Sequence, residues 1–366
     1  MVNIPDSSIL KKMANTVRFL SADMVQQANS GHPGAPMGLA DIVSVLTFHL
    51  KTNPKNPKWL NRDRVVFSGG HTSAMIYSLL HLWGYNISLE DLKKFRQWGS
   101  NTPGHPEYGH TEGVEITTGP LGQGVANAVG FAMASKYASK ILNRENANII
   151  DHKVYCLCGD GDLEEGISYE ACSLAGHNKL NNLILIYDSN EITIEGKVNL
   201  AFSEDVRKRF ESQGFAVHEI DGHDFEQINE SITKAKNSDK PTLIIAKTKI
   251  AKGSKNLEGS HKTHGSPLGE SEIEASKELA GFSKEKFSIP QEAKLGFSYL
   301  IENGEIWEKS WNHLLLELPY KEQNTLLEKL QHPDISAISY PTFEVGSKVA
   351  TRDSNGKIIN EISKAL

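Results

Sequence analysis

Apolar residues along this chain follow two periods. Short continuous apolar runs in the central part predict buried strands, and the segments between them carry apolar residues at spacings of three and four, which indicates helices. We predict strands at 65–68, 154–158, 183–188, 216–220 and 242–248, and helices at 9–29, 38–50, 72–83, from 125, 165–177, 203–214 and 225–236. This alternation is typical of an α/β fold with a doubly wound, mostly parallel sheet and helices on both faces.

The pattern changes after residue 270. Segments rich in Glu, Lys and Ser with helical spacing follow, and the next apolar run that resembles a strand is 348–351. We therefore predict three parts: an α/β domain at 1–270, a helical linker at 271–348 and the beginning of a second domain at 349–366. Because the helical pattern that begins near 358 reaches the last residue without a stop signal, we expect the chain to be a fragment.

Composition narrows the class of protein. The 366 residues are 39% hydrophobic and 23% charged, with 3 Cys, as in ordinary soluble globular proteins. The net charge is −6 without a long basic run, so we expect no nucleic-acid partner. No apolar stretch approaches the roughly 20 residues that cross a bilayer, and the first helical pattern is not that of a signal peptide. We expect no membrane association and a cytoplasmic protein.

A metal site is predicted where two strands end. Gly-Asp-Gly at 159–161 directly follows one apolar run, and Asn190 follows the next, 30 positions after Asp160. One helix and one strand fit in that interval, so both side chains come to the same edge of a parallel sheet. Oxygen ligands suit Mg²⁺ or Ca²⁺, and Gly161 allows phosphate groups to approach the backbone at a helix N-terminus. The plain alternative is a strand-to-helix turn with a capping Asp.

Other ligand sites are possible from the same residues. Asp188 stands about where a nicotinamide-binding fold places its ribose-binding acid, which keeps an NAD-dependent dehydrogenase as an alternative. The glycine spacing around 159–166 does not match that fold, and an Asp beside a diphosphate requires a bridging cation. A zinc site from His261 and His264 has the right spacing but lacks a third candidate ligand.

Several polar residues lie in Gly/Pro-rich loops or early in a helix. Histidines that converge on a cleft donate hydrogen bonds to phosphate and hydroxyl groups and shuttle protons, although each one alone is an ordinary loop residue. Acidic residues early in a helix are candidate acids or bases, or merely surface groups that complement the helix dipole. The candidates are His32, His71, His105 and His264, and Glu164, Glu165 and Glu170.

Five motifs together resemble transketolase. They are Ser-Gly-His-Pro-Gly-Ala-Pro at 30–36, Thr-Thr-Gly-Pro-Leu-Gly-Gln-Gly at 117–124, Gly-Asp-Gly with Glu-Gly-Ile-Ser at 159–168, Asp-Ser-Asn-Glu-Ile-Thr-Ile at 188–194 and His-Gly-Ser-Pro-Leu at 264–268. The resemblance implies thiamine diphosphate and Mg²⁺ or Ca²⁺ as cofactors. It also implies a transferase that moves a two-carbon ketol unit from a ketose phosphate to an aldose phosphate in the pentose phosphate pathway.

The resemblance also assigns roles to individual residues. It implies metal ligands at Asp160, Asn190 and the backbone oxygen of Ile192. It implies cofactor contacts at His71, Gly119, Leu121, Gly161, Asn190 and His264. It implies catalytic and substrate-binding roles for His32, His105 and His264, with Arg352 on the substrate phosphate. It implies that Glu165 and Glu170 lie near the interface of a homodimer.

The chain departs from the family in length, at position 162 and at 108–112, a segment slightly longer than usual in the family. Family chains are about twice as long, so residues 1–270 resemble the diphosphate-binding (PP) domain, and 349–366 resemble the start of the pyrimidine-binding domain. We expect this chain to be inactive alone, because the pyrimidine-activating glutamate lies in that second domain. Asp162 stands where the family often has Cys. A non-catalytic partner subunit with the same fold stays open as an alternative.

Overall fold

The computed structural model describes residues 2–194, 196–316, 327, 328, 330 and 334–365. It contains five strands, all parallel: β1 Arg64–Phe67, β2 Val154–Gly159, β3 Leu183–Ser189, β4 Ala216–Asp221 and β5 Thr242–Lys247. Their order in the sheet is β1-β2-β3-β5-β4. All five predicted strands are therefore confirmed, with ends that agree to within one residue.

Helices surround this sheet and continue after it. The helices in the first part are α1 Ser7–Ala28, α2 Gly34–Leu46, α3 Ser73–Trp83, α4 Leu89–Lys93, α5 Gln123–Leu142, α6 Asp160–Glu164 and α7 Gly166–His177. Those that follow are α8 Val206–Ser212, α9 Phe225–Lys236, α10 Glu270–Leu279, α11 Gln291–Phe297, α12 Tyr299–Leu316 and α13 Thr351–Ala365. Within the described ranges, none of them is long and apolar enough to cross a membrane.

Side chains alternate along the strands between two buried cores, one on each face of the sheet. One core combines inward residues of the strands with helices α1, α2, α3 and α9: Tyr155, Leu157, Ile184, Ile186 and Ile244. The other combines the intervening residues with α5 and α7: Val154, Cys156, Cys158, Leu183 and Leu185. Burial of both faces explains why the strands appear in the sequence as continuous apolar runs. The predicted fold class is confirmed.

Helix α2 begins at Gly34, four residues before the predicted start at 38. Two prolines flank this beginning, Pro33 before the helix and Pro36 in its first turn. The N–H groups of a first turn have no partner within the helix, so a proline there costs no hydrogen bond. Residues 34–37, which the sequence analysis leaves outside the helix, therefore form its first turn.

The predicted strand at 348–351 is wrong. Residues 348–350 have no regular structure, and α13 begins at Thr351, seven residues before the predicted helical start. Val349 and Thr351 are β-branched and favour strands locally, but a strand needs a neighbour to pair with, and no described strand lies beside this segment. Asp353 in the first turn instead favours the beginning of a helix.

Helices α10 to α12 lie in the predicted linker, except for Glu270 at the beginning of α10, and they pack against the preceding α/β part of the chain. Helix α10 is attached to α1 by a buried ion pair, in which Lys277 Nζ lies 2.8 Å from Asp23 Oδ2. Asp23 also accepts the backbone N–H of Phe287 at 2.8 Å. The predicted helical character of this part is thus found over 270–316, whereas the domain limits at 270 and 348 stay predictions.

Candidate functional site

The ends of β2 and β3 form the edge at which the metal site was predicted. In the register of this pair, Gly159 lies opposite Asp188. Asp160 therefore follows the end of β2, and Asn190 lies two residues beyond Asp188 at the same edge. The next strand, β5, places Ala246 beside Asp188, so that Thr248 reaches this edge as well. The parallel register brings these side chains together, as the sequence predicts.

Asp160 is a buried carboxylate with one oxygen left free. Its Oδ1 accepts the hydroxyl of Tyr187, whereas Oδ2 is buried and has no hydrogen-bond partner in the described part of the chain. Burial raises the pKa of Asp160 to about 7, and the nearby carboxylates Asp188 and Glu164 add to the rise. A buried carboxylate oxygen without a donor is unfavourable unless a cation or another ligand compensates it. Asp160 therefore fits a metal site.

Asn190 is oriented by its neighbours. Its Nδ2 donates to Asp188 Oδ2 at 2.8 Å, and its Oδ1 accepts the backbone N–H of Ile192 at 3.0 Å. Asp188 is itself fixed by the hydroxyl of Thr248. An amide oxygen has two lone pairs, so Oδ1 retains one for a cation. Asp188 and Thr248 hold the amide in place, a role that sequence analysis does not give to either residue.

No group of three or more His, Cys, Asp or Glu side chains able to hold a metal occurs among the described residues. The ligand set implied by the resemblance contains only one carboxylate, together with an amide oxygen and a backbone oxygen. Such a set leaves positions for phosphate oxygens and water, as Mg²⁺ usually requires. The residues present therefore fit a divalent cation that binds together with a phosphate ligand.

The glycines of the site lie in close contact with other segments. A Cβ at Gly161 would lie 2.9 Å from Leu121 Cδ1, so the turn after β2 and the loop before α5 touch where no side chain fits between them. A Cβ at Gly119 would lie 3.6 Å from the ring of His105. The structure thus brings Gly161, Leu121, Gly119 and His105 to one side of the sheet edge.

Four histidines from distant loops form one cluster. The His32 ring lies 5.3 Å from His71, 5.5 Å from His264 and 6.4 Å from His105, measured between ring centroids. The rings of His71 and His264 stack at 5.2 Å. His32 and His264 also line a cavity of about 580 Å³ with Ile194. The structure therefore brings together the four loop histidines that the sequence indicates as candidates.

Burial keeps the clustered histidines neutral. It lowers the pKa of His71 to about 3 and that of His32 to about 4, and the neighbouring histidines strengthen both effects. The pKa values of His105 and His264 are also lowered by burial. A neutral imidazole presents one N–H donor and one acceptor, so the cluster offers oriented hydrogen bonds rather than positive charges near neutral pH.

Arg96 is a neighbour of this cluster that sequence analysis does not single out. Its Nη1 donates to Ser30 Oγ at 3.0 Å, and its Nη2 makes a long contact of 3.4 Å with His32 Nδ1. Since a guanidinium only donates, His32 Nδ1 accepts, and the neutral ring carries its proton on Nε2. The backbone of Arg96 has a φ of 61°. No local sequence pattern predicts this conformation.

The remaining predicted residues lie apart from the cluster. The side chain of Arg352 is 85% exposed on the first turn of α13, where its Nε lies 3.5 Å from Asp353. Glu165 precedes α7 and Glu170 lies within that helix, both exposed. The structure thus brings together the histidines, the glycine-rich loops and the metal-site residues, but it does not bring Arg352 to them.

A family model described as transketolase, thiamine diphosphate binding domain, matches residues 9–333. The chain belongs to the transketolase family. Among curated transketolases, that of Halalkalibacterium halodurans is 48% identical over 361 residues, which cover 96% of this chain and 54% of the relative. That of Bacillus subtilis is 46% identical and covers 98% of this chain and 55% of the relative.

Solved transketolases share the fold. The crystal structure of the Campylobacter jejuni enzyme is 62% identical, with a TM-score of 0.91 over 99% of this chain and 56% of that one. The Leishmania mexicana enzyme is 40% identical, with the same TM-score, over 100% of this chain and 55% of that one. The chain spans about half the length of the curated relatives it matches. It carries the family's thiamine diphosphate-binding domain, which favours the resemblance over the dehydrogenase alternative.

Proposed function

We propose that this chain supplies the diphosphate-binding half of a transketolase active site and holds thiamine diphosphate through a divalent cation, Mg²⁺ or Ca²⁺. The observation that carries the proposal is the free, buried oxygen of Asp160 at the sheet edge that also carries the oriented amide of Asn190. The whole enzyme would transfer a two-carbon ketol unit from a ketose phosphate to an aldose phosphate. Family membership and the four-histidine cluster support that reaction.

The cation would be held by Asp160, Asn190 and the backbone oxygen of Ile192. When bound, thiamine diphosphate supplies a carbon nucleophile and an electron sink for cleavage next to a carbonyl. The chain's own contribution is to orient the diphosphate. His71 and His264 would donate hydrogen bonds to its oxygens, and the backbone at Gly161 leaves room for them. Gly119 and Leu121 would line the opposite side of the cofactor.

His32, His105 and His264 are proposed to bind substrate hydroxyl groups and to assist proton transfer. Because Nδ1 of His32 accepts from Arg96, the Nε2–H group of His32 is the one that can donate to a substrate oxygen. A depressed pKa makes the neutral ring the stable form, so a proton taken up during turnover is readily returned. Structures of Pichia stipitis transketolase, 40% identical to this chain, include complexes with sedoheptulose 7-phosphate and fructose 6-phosphate. Sugar phosphates of this class are the proposed substrates here.

A homodimer is proposed through the exposed face of α5 and α7. This face presents four large apolar side chains to solvent, and the acidic Glu165 and Glu170 flank them. The apolar residues are Met133, Tyr137, Ile167 and Leu174. Several exposed apolar residues on two helices that pack together are typical of a protein interface. Sedimentation velocity tests this: Leu174→Asp should shift the chain toward monomer, and Leu279→Asp, at an exposed site on α10, should not.

Calorimetry with thiamine diphosphate tests the cofactor proposal. We expect binding to the chain in the presence of Mg²⁺ or Ca²⁺, loss of binding with a chelator, and none with unphosphorylated thiamine. Equal binding with and without the cation would contradict the proposed metal bridge. Turnover of xylulose 5-phosphate and ribose 5-phosphate is then measured with the chain alone and after addition of the C-terminal half of a full-length relative. Activity only in the mixture supports the assignment of this chain to one half of the site. The cytoplasmic location stays a prediction.

A further inference from the structure

Asp162 is a fully buried carboxylate that joins three segments of the chain. Its Oδ1 accepts the hydroxyl of Ser68 at 2.6 Å and the backbone N–H of Gly122 at 2.9 Å. Its Oδ2 accepts the backbone N–H of Gly159 at 2.9 Å. The three donors lie at the end of β1, in the loop before α5 and at the end of β2. Both carboxylate oxygens are therefore used, in contrast to the free oxygen of Asp160 on the same helix.

Each of these segments reaches the proposed cofactor site. Gly159 immediately precedes Asp160, so the hydrogen bond to its N–H fixes the turn that carries the metal ligand. Gly122 follows Leu121, whose side chain lies against Gly161. Ser68 Oγ also accepts the backbone N–H of Val125 at 3.2 Å, in the first turn of α5. A single carboxylate thus sets the separation between the loop on one side of the site and the turn on the other.

The loop has little freedom to adopt another position. Gly122 has φ of +76°, and a Cβ there would lie 2.7 Å from Glu165 Cβ. Its N–H faces away from solvent and toward Asp162. A carboxylate provides only acceptors, which suits three donors that approach from different directions. A thiol is a weak acceptor, and an amide would turn its own N–H₂ toward a donor.

We propose that Asp162 is a positioning residue that clamps the loop 118–122 to the metal-binding turn 159–161, and so places the groups that hold the diphosphate. The inference rests on the proposed cofactor site, since it assigns a further residue to it. Asp162 itself does not touch the cation or the cofactor. Its effect is transmitted through Gly159 to Asp160 and through Gly122 to Leu121.

A matched control is present at the opposite edge of the same strands. Asp63 is also buried, and its two oxygens accept the backbone N–H groups of Lys51 at 2.8 Å and Lys153 at 2.7 Å. It precedes β1, far from the loops of the site. Asp63→Asn should therefore disturb the fold in a comparable way without affecting the cofactor, whereas Asp162→Asn should do both.

The first readout is binding of thiamine diphosphate with Mg²⁺, measured by calorimetry at a temperature where both variants are folded. We expect about a 10- to 100-fold weaker affinity for Asp162→Asn, the range found when a residue behind a metal ligand is changed. Asp63→Asn should bind like the unchanged chain. If Asp162→Asn does not fold, Ser68→Ala replaces it, with an expected loss of several-fold. Equal affinities for all variants would overturn the proposal.

The second readout is hydrogen exchange of the cofactor-free chain, which does not depend on the proposed function. In Asp162→Asn we expect faster exchange of the Gly122 and Gly159 amides and their surrounding peptides, with the rest of the sheet unchanged. In Asp63→Asn the same increase should appear at Lys51 and Lys153. Uniformly faster exchange across the sheet in Asp162→Asn would show a merely structural residue. If the unchanged chain binds no cofactor but the local exchange pattern holds, the proposed function fails and the clamp stands.

Discussion

Two buried carboxylates at opposite edges of the parallel sheet, Asp63 and Asp160, differ in whether the chain satisfies both of their oxygens. At the edge where the strands begin, both oxygens of Asp63 accept backbone N–H groups. Asn61 next to it accepts the N–H groups of Asp151 and His152 in the same manner. At the edge where the strands end, Asp160 retains a buried oxygen with no partner among the described residues. The first arrangement satisfies the fold by itself, and the second leaves a buried acceptor oxygen available to a ligand.

Within one sheet, the edge where the strands begin contributes to stability, and the edge where they end is arranged to bind a ligand. Parallel strands leave backbone groups uncovered at both ends, and the chain covers those at the beginning with side chains of its own. At the other end, two carboxylates lie so close that burial and mutual repulsion raise the pKa of Asp160 to about 7 and burial raises that of Asp188 to about 6. An arrangement that is unfavourable in isolation and becomes favourable with a cation is typical of a binding site.

The largest expected effect is a loss of cofactor affinity when Asp160 is replaced. In Asp160→Asn the amide oxygen still accepts the hydroxyl of Tyr187, but the charge that holds the cation is lost. We expect the affinity for thiamine diphosphate with Mg²⁺ to fall about 100-fold or more at pH 8, beyond the effect of changes behind a ligand. The cofactor-free chain should keep its stability, because no buried charge then needs compensation.

Asp63→Asn serves as the opposite case. It should lower the free energy of unfolding by about 1–3 kcal/mol, since a backbone N–H that had an acceptor is left facing an amide N–H₂. Cofactor affinity should remain unchanged. Chemical denaturation measures the stability of both variants, and calorimetry measures their affinity. Loss of stability in Asp160→Asn equal to that in Asp63→Asn would contradict the distinction between the two edges.

Much of this distinction could be predicted from the sequence, and the reason is geometric. Buried strands appear as apolar runs, and parallel strands end at one edge, so the meeting of Asp160 and Asn190 follows from their spacing alone. This feature depends on the order of elements along the chain, which a sequence records directly. The sequence also indicates the four loop histidines as candidates, whereas their convergence is a finding of the structure.

The roles that sequence analysis missed depend on backbone hydrogen bonds or on backbone conformation. Asp162 binds the N–H of Gly122, 40 positions away, and a backbone donor leaves no signature in the sequence. Arg96 contacts His32 from a backbone with a positive φ, a conformation that its residue type does not predict. The strand predicted at 348–351 was wrong for a related reason, since pairing depends on a neighbour that local β-branched residues do not supply.

A smaller effect, on the pH dependence of stability, is expected for two histidines. His71 lies at the edge where the strands end, and His152 lies at the edge where they begin. The pKa values of His71 and His152 are both lowered to about 3 by burial. As pH falls below the unfolded value of about 6.5, the unfolded chain takes up protons first, so stability decreases between pH 6.5 and pH 3. At pH 5 each histidine should lower the free energy of unfolding by about 1–2 kcal/mol relative to pH 7.5.

Replacement of either histidine tests the predicted pH dependence and compares the two edges of the sheet. His71→Asn and His152→Asn should each reduce the loss of stability between pH 7.5 and pH 5, measured by denaturation at both pH values. Only His71→Asn should also weaken cofactor binding, because only His71 faces the proposed diphosphate. The exposed His177 on α7 provides a control for the binding measurement, since His177→Asn should leave cofactor affinity unchanged. An unchanged pH dependence in both buried variants would mean that these rings take up protons in the folded state.

The smallest effect on the chain itself is expected at Arg352, which lies outside both edges. Its side chain is 85% exposed and pairs only loosely with Asp353, so Arg352→Ala should change the free energy of unfolding by less than about 0.5 kcal/mol and leave cofactor affinity unchanged. In the enzyme assembled with its C-terminal half, the planar guanidinium suits bidentate binding of a phosphate. There, Arg352→Ala should raise the KM for xylulose 5-phosphate far more than that for hydroxypyruvate, which has no phosphate. Equal increases for both substrates would remove Arg352 from the phosphate site and leave it a surface residue of α13.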